Sequence, residues 1–151
     1  PARSVRQRRR SVIDPEPTPA RITLYWSAIW RAAITTVTFA VPLSLLQKWL
    51  VESDRVAGDE AVNFLLNLAI MFCGALGGYA AAKLAPTSRL QNGAAAAALG
   101  AIVIQVAGAI RHTIIGRDIS SPISWIFLAL LLSIFGMFGA WVFGKTNGST
   151  T

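Results

Sequence analysis

Between residues 31 and 145 the chain alternates apolar runs of about one bilayer thickness with short charged segments. Residues 61–82 and 122–143 each hold 22 residues without a charge, and 93–110 hold 18. A hydrocarbon core of about 30 Å is crossed by roughly 20 apolar residues in a helix. Residues 32–47 add an uncharged stretch of 16, lengthened at its start by an amphipathic segment. The pattern predicts four membrane-spanning helices, at about 27–47, 61–82, 93–110 and 122–143. The linkers are short, so neighbouring helices run antiparallel. The predicted fold is an all-α, integral membrane four-helix bundle over residues 21–145.

The ends of the spans carry their own signals. Thr18 before Pro19, and Ser121 before Pro122, pair a capping side chain with a proline suited to a first helical turn. From there Ile22, Tyr25, Trp26, Ile29 and Trp30 recur at helical spacing, which predicts one face of a helix entering the membrane. Tryptophan, tyrosine and arginine at such an entry form an interfacial anchor, so Trp26, Trp30 and Arg31 are candidate lipid or partner contacts. Pro42 is expected to kink the outer half of the first span or to sit tolerated near its end. Residues 1–20 combine a basic run with alternating prolines, which predicts a disordered arm, and residues 146–151 form a polar tail.

Charge sets the expected orientation. Ten of the fourteen Lys and Arg lie in the N-terminal region, the second loop and the C-terminal end. The other four lie in the first and third loops. Positive charge favours the cytoplasmic side, so both termini are expected in the cytoplasm of a bacterial inner membrane. No signal-peptide cleavage site follows the first apolar span, which therefore reads as an uncleaved insertion signal. Arg6, Arg8, Arg9 and Arg10 read as contacts to anionic lipid or to a partner surface, each worth about 1 kcal/mol near a charged bilayer. Nucleic acid is not an expected partner.

The second and fourth spans end alike. Gly74, Gly77, Gly78, Tyr79, Ala82 and Lys83 match Gly136, Gly139, Ala140, Trp141, Gly144 and Lys145 at an offset of 62 residues. One reading is a pair of repeated helical hairpins related by a two-fold along the membrane normal. The other is that any cytoplasmic helix end collects small residues, an aromatic and a lysine. In either case Gly74, Gly78 and Ala82, and likewise Gly136, Ala140 and Gly144, form ridges of small residues on which helices pack in lipid.

Candidate chemistry is sparse. Asn63, Asn67 and Gln105 are amides inside spans, expected toward the outer leaflet. They serve either as hydrogen bonds between helices or as an intramembrane polar site. No acid, base or histidine lies in the middle of a span, where an ion-coupled pump places one. The single Cys73 and single His112 do not make a nucleophile and base. Catalytic, metal and cofactor residues are therefore not expected, nor is an enzyme.

The stretch GALGGYAAAKLAPTSRLQNGAAAAALGA and the last span, LLSIFGMFGAWVFGK, resemble a family of small four-span membrane proteins of Gram-positive bacteria, actinobacteria included. The resemblance covers roughly residues 25–145 and implies fold and compartment, with no activity attached. The expected role is a non-enzymatic accessory subunit on a larger membrane complex, respiratory or otherwise energy-transducing, in a supercomplex-like assembly. Two alternatives stay open: a small homo-oligomeric transporter or channel, and a lipid-interacting membrane organiser.

Overall fold

The computed structural model describes residues 22–57, 61–116 and 121–148. It contains four helices: α1 (Trp26–Glu52), α2 (Ala61–Leu84), α3 (Arg89–Ile114) and α4 (Pro122–Gly148). Each runs 24 to 27 residues, or about 36–40 Å at 1.5 Å per residue. All four are long and apolar enough to cross a membrane. Their ends extend past the uncharged runs because the hydrocarbon core occupies only about 30 Å.

Most of the large apolar side chains point outward. Ile34, Phe39, Phe64, Leu65, Ile126, Phe127 and Leu130 are all exposed. In water this surface would be untenable; in lipid it is the ordinary exterior. The interior is built instead from small residues, because close backbone approach is what associates helices in an apolar solvent. Gly78, Gly93 and Gly136 bring α2, α3 and α4 into contact. A Cβ on Gly93 would lie 2.8 Å from both the Gly136 carbonyl oxygen and the Ala140 Cβ, and one on Gly136 would lie 2.6 Å from the Ala97 Cβ. A Cβ on Gly78 would fall on the Gly136 backbone, and one on Gly139 on the Ala75 backbone.

Thr36 locks α1 onto this centre. It is 0% exposed, its hydroxyl donates to the Ala32 carbonyl at 3.4 Å, and it fills the space left by Gly77 on α2 and Gly100 on α3. Ile29 packs beside it with Ala32, Ala81 and Ala96.

α2 and α3 each touch all three other helices, whereas α1 and α4 do not meet. The section is thus a rhombus with α2 and α3 on its short diagonal. Shifting α1 and α2 by 62 residues overlays them on α3 and α4 to within two residues at each end. The hairpins therefore repeat in length. They do not pack about a two-fold along the membrane normal, which would carry the α2–α3 contact onto α1–α4.

The first helix starts later than the sequence pattern predicts. Residues 22–25 are not helical, and α1 begins at Trp26. Tyr25 is extended, at φ −91° and ψ 93°. Thr18, Pro19 and the arm lie outside the described residues. At its other end α1 continues through Pro42 to Glu52.

Candidate functional site

A polar cluster stands at the end of the bundle that carries the termini. Asn92, in the first turn of α3, is 0% exposed. Its side-chain oxygen accepts the Tyr25 N–H at 2.7 Å. Its amide nitrogen donates to the carbonyls of Thr23 at 3.0 Å and Ser88 at 2.9 Å. One side chain thus ties the segment before α1 to the turn between α2 and α3. Taking the Tyr25 N–H and the Thr23 carbonyl out of helical pairing is also what keeps residues 22–25 extended.

Around Asn92 the rim is hydroxyl-rich. Thr23 and Thr87 hydroxyls lie 3.0 Å apart, and the Tyr25 hydroxyl is 3.2 Å from Thr87. Ser88 adopts a left-handed backbone, φ 51°, which costs a non-glycine residue about 1 kcal/mol or more. The Thr23 N–H donating to its side chain at 3.2 Å offsets part of that cost. Sequence reasoning passed over Asn92. The available signal was an asparagine four residues after Ser88, next to Gln91 at the mouth of an alanine-rich helix.

Trp26 and Trp30 point outward, 68% and 49% exposed, while Ile29 between them is buried. The single amphipathic face expected for these residues is therefore divided between the surface and the core. Arg31 is exposed beside the tryptophans and has no ion pair among the described residues. Arg6, Arg8, Arg9 and Arg10 lie outside the described residues.

Of the small-residue ridges, Gly74, Gly78, Ala82, Gly136 and Ala140 are all buried. Gly144 is not part of this packing: a Cβ there would meet nothing within 4 Å. Gly93 faces Ala140, so one turn further on Gly144 is level with Arg89, where α3 begins. The ridge runs past the end of its partner. The neighbouring aromatics seal this region, with Tyr79 edge-on to Phe143 at 5.2 Å, Arg89 over Phe143 at 5.4 Å and Lys145 over Trp141 at 4.7 Å.

The intramembrane amides do not form one hydrogen-bonded group. The Gln47 amide donates to the Asn63 side-chain oxygen at 2.6 Å, joining α1 to α2. Gln105 donates to the Trp125 carbonyl at 3.1 Å, joining α3 to α4. Residues 63 and 125 are 62 apart while residues 47 and 105 are 58 apart, so each hairpin is cross-linked toward its loop, with the donor of the second one turn off the register of the first. Asn67 remains on the exposed side of α2 and donates to the Asn63 carbonyl of its own helix at 2.9 Å. The contacts spread the three residues over separate jobs because their bonds follow the hairpins.

Cys73 is buried and donates to the Ala69 carbonyl at 3.3 Å. Among the described residues no group of three His, Cys, Asp or Glu gathers where a metal ion could bind. Every buried side-chain nitrogen or oxygen among them has a hydrogen-bond partner. The fold and its surface define the class: a multi-pass membrane protein of four-helix-bundle architecture. Comparison with protein-family models, with curated proteins and with solved structures finds no match to this chain.

Proposed function

We propose that the protein is a non-enzymatic accessory subunit that docks, within the membrane, on a larger protein complex. The reading takes a bacterial cytoplasmic membrane as its setting, with both termini on the cytoplasmic side, on the distribution of Lys and Arg. One observation carries it: the fully buried residues of the helices are confined to one half of the bundle. Within the helices the buried residues fall in 28–40, 73–82, 92–101 and 132–140, all toward the end that carries the termini. In the opposite half, 41–52, 61–72, 102–114 and 122–131, no residue is fully buried.

That half also holds Gln47, Asn63, Asn67 and Gln105, with Asn67 on the exposed side. An amide facing hydrocarbon gains from a protein neighbour, at about 0.6–2 kcal/mol per hydrogen bond between helices. A half that buries no residue fully and bears amides supports a surface completed by another protein. The alternative, a homo-oligomeric transporter or channel, draws on the same Asn67 face with a second copy as neighbour. Backbone contact at Gly78, Gly93 and Gly136 closes the centre of each bundle, so a conducting path would have to run between copies.

Native-mass measurement of the untagged protein, extracted from its own membrane in mild detergent, separates these readings. The expected result is a stoichiometric complex with larger subunits, and Asn67→Leu is expected to weaken that association by about three- to thirty-fold. A homo-oligomer would replace the accessory reading with the transporter one. A lone chain would remove both.

A further inference from the structure

At the start of α1, Trp26, Ser27, Trp30 and Arg31 line a surface recess. A smaller polar depression beside it is formed by Ser27, Ala28, Arg31 and Leu84. Trp30 is also the first wall of a second groove, lined by Ala33, Ile34, Val37, Thr38 and Val103 where α1 meets α3. The two cavities share Trp30 and follow one another along α1. From Ser27 to Thr38 the path is about 16 Å at 1.5 Å per residue, close to the roughly 15 Å depth of one hydrocarbon leaflet.

The chemistry changes along that path in the order of a lipid molecule. The upper end offers an exposed guanidinium without an acid partner among the described residues, a serine hydroxyl and two indoles. The lower end is almost wholly apolar, with Thr38 turned to its own backbone, donating to the Ile34 carbonyl at 2.8 Å. Arginine forms charge-assisted, often bidentate hydrogen bonds to phosphate oxygens, and tryptophan favours the headgroup level.

We propose that this face of α1 and α3 is a binding site for one anionic glycerophospholipid. Arg31 and Ser27 hold the phosphate between Trp26 and Trp30, and one acyl chain lies in the groove down to Thr38 and Val103. Positive charge with no counter-charge among the described residues selects an anionic headgroup over a zwitterionic one. The groove selects a membrane lipid over a soluble phosphate. The site is independent of whether the opposite half of the bundle docks on a partner.

The test uses the full chain in vesicles whose lipid, either phosphatidylglycerol or phosphatidylcholine, carries bromine in its acyl chains, with tryptophan quenching as the readout. Brominated phosphatidylglycerol is expected to half-saturate at about a five-fold lower mole fraction than brominated phosphatidylcholine. Arg31→Gln is expected to abolish that preference and Arg31→Lys to keep most of it. Arg55→Gln should leave it unchanged, since that guanidinium sits over Trp49 at the other end of the bundle. Val103→Phe, which fills the groove, is expected to weaken quenching by phosphatidylglycerol. Equal quenching by the two lipids, a preference that survives Arg31→Gln, or indifference to Val103→Phe would each overturn the proposal. So would displacement of the lipid by inorganic phosphate, since the anion alone would then account for binding.

Discussion

Gly78→Leu is expected to destroy the packed half of the bundle, with the loss of a cooperative melting transition and of a single monodisperse species in mild detergent. A side chain at Gly78 meets the backbone of Gly136, not a side chain that can turn aside. α2 and α4 must then separate, and Gly93, whose neighbours are the Gly136 and Gly78 carbonyls, loses its contact with both. Overpacking of a core costs about 1–3 kcal/mol, and more when backbone must move, so the expected loss is about 3 kcal/mol or greater. Gly144→Leu is the matched control: the same residue change, on the same kind of ridge, in open space. Its expected effect stays within about 0.5 kcal/mol, as for a surface substitution. Thermal unfolding of the two variants beside the parent protein checks both values. A Gly78→Leu protein that melts with the parent would show that these three backbones do not meet.

That contrast also marks how far the chain explains itself. A ridge such as Gly74, Gly78 and Ala82 is readable from spacing alone, because small residues every four positions must share a face. Spacing says nothing of where the facing helix stops, so Gly144 belongs to the ridge in sequence and to the surface in space. The start of α4 is readable for a different reason: Ser121 and Pro122 are local signals, and nothing distant competes with them. At the start of α1 something does. Thr23 and Tyr25 bond to Asn92, 67 to 69 residues away, and a helical periodicity across residues 22–30 gives way to it. The amides show the same limit. Asn63, Asn67 and Gln105 all lie in the half of the bundle away from the termini, but their partners are set by the local helix and hairpin geometry. The packing of the two hairpins is a further case. A motif repeated at an offset of 62 residues is legible, whereas the choice of α2 and α3 as the short diagonal rests on contacts between faces.

Asn92→Leu is expected to release the segment that leads into α1, because leucine keeps the branched outline of asparagine, at greater bulk, while removing its hydrogen bonds. The Tyr25 N–H would lose its acceptor and the Thr23 carbonyl its donor, whereas the Ser88 carbonyl keeps the backbone N–H of residue 92 at 3.0 Å. Each buried backbone group left unpaired costs about 1–3 kcal/mol. Two such groups, only partly buried, relax together, so the expected total is about 1–3 kcal/mol. Amide hydrogen exchange is the sharper reading, with faster exchange at Tyr25 expected while the centre of α2 stays protected. Thr87→Val provides the comparison, since its hydroxyl lies in exposed contacts with Thr23 and Tyr25 and its loss leaves no buried group unpaired. An unchanged Tyr25 exchange rate in Asn92→Leu would mean that the turn and the pre-helical segment hold each other without it. The expected result has a consequence beyond stability. Residues 22–25 join the basic arm to the bundle, and Trp26, Ser27, Trp30 and Arg31 follow directly. A single buried amide therefore sets how the outward face at the start of α1 is presented.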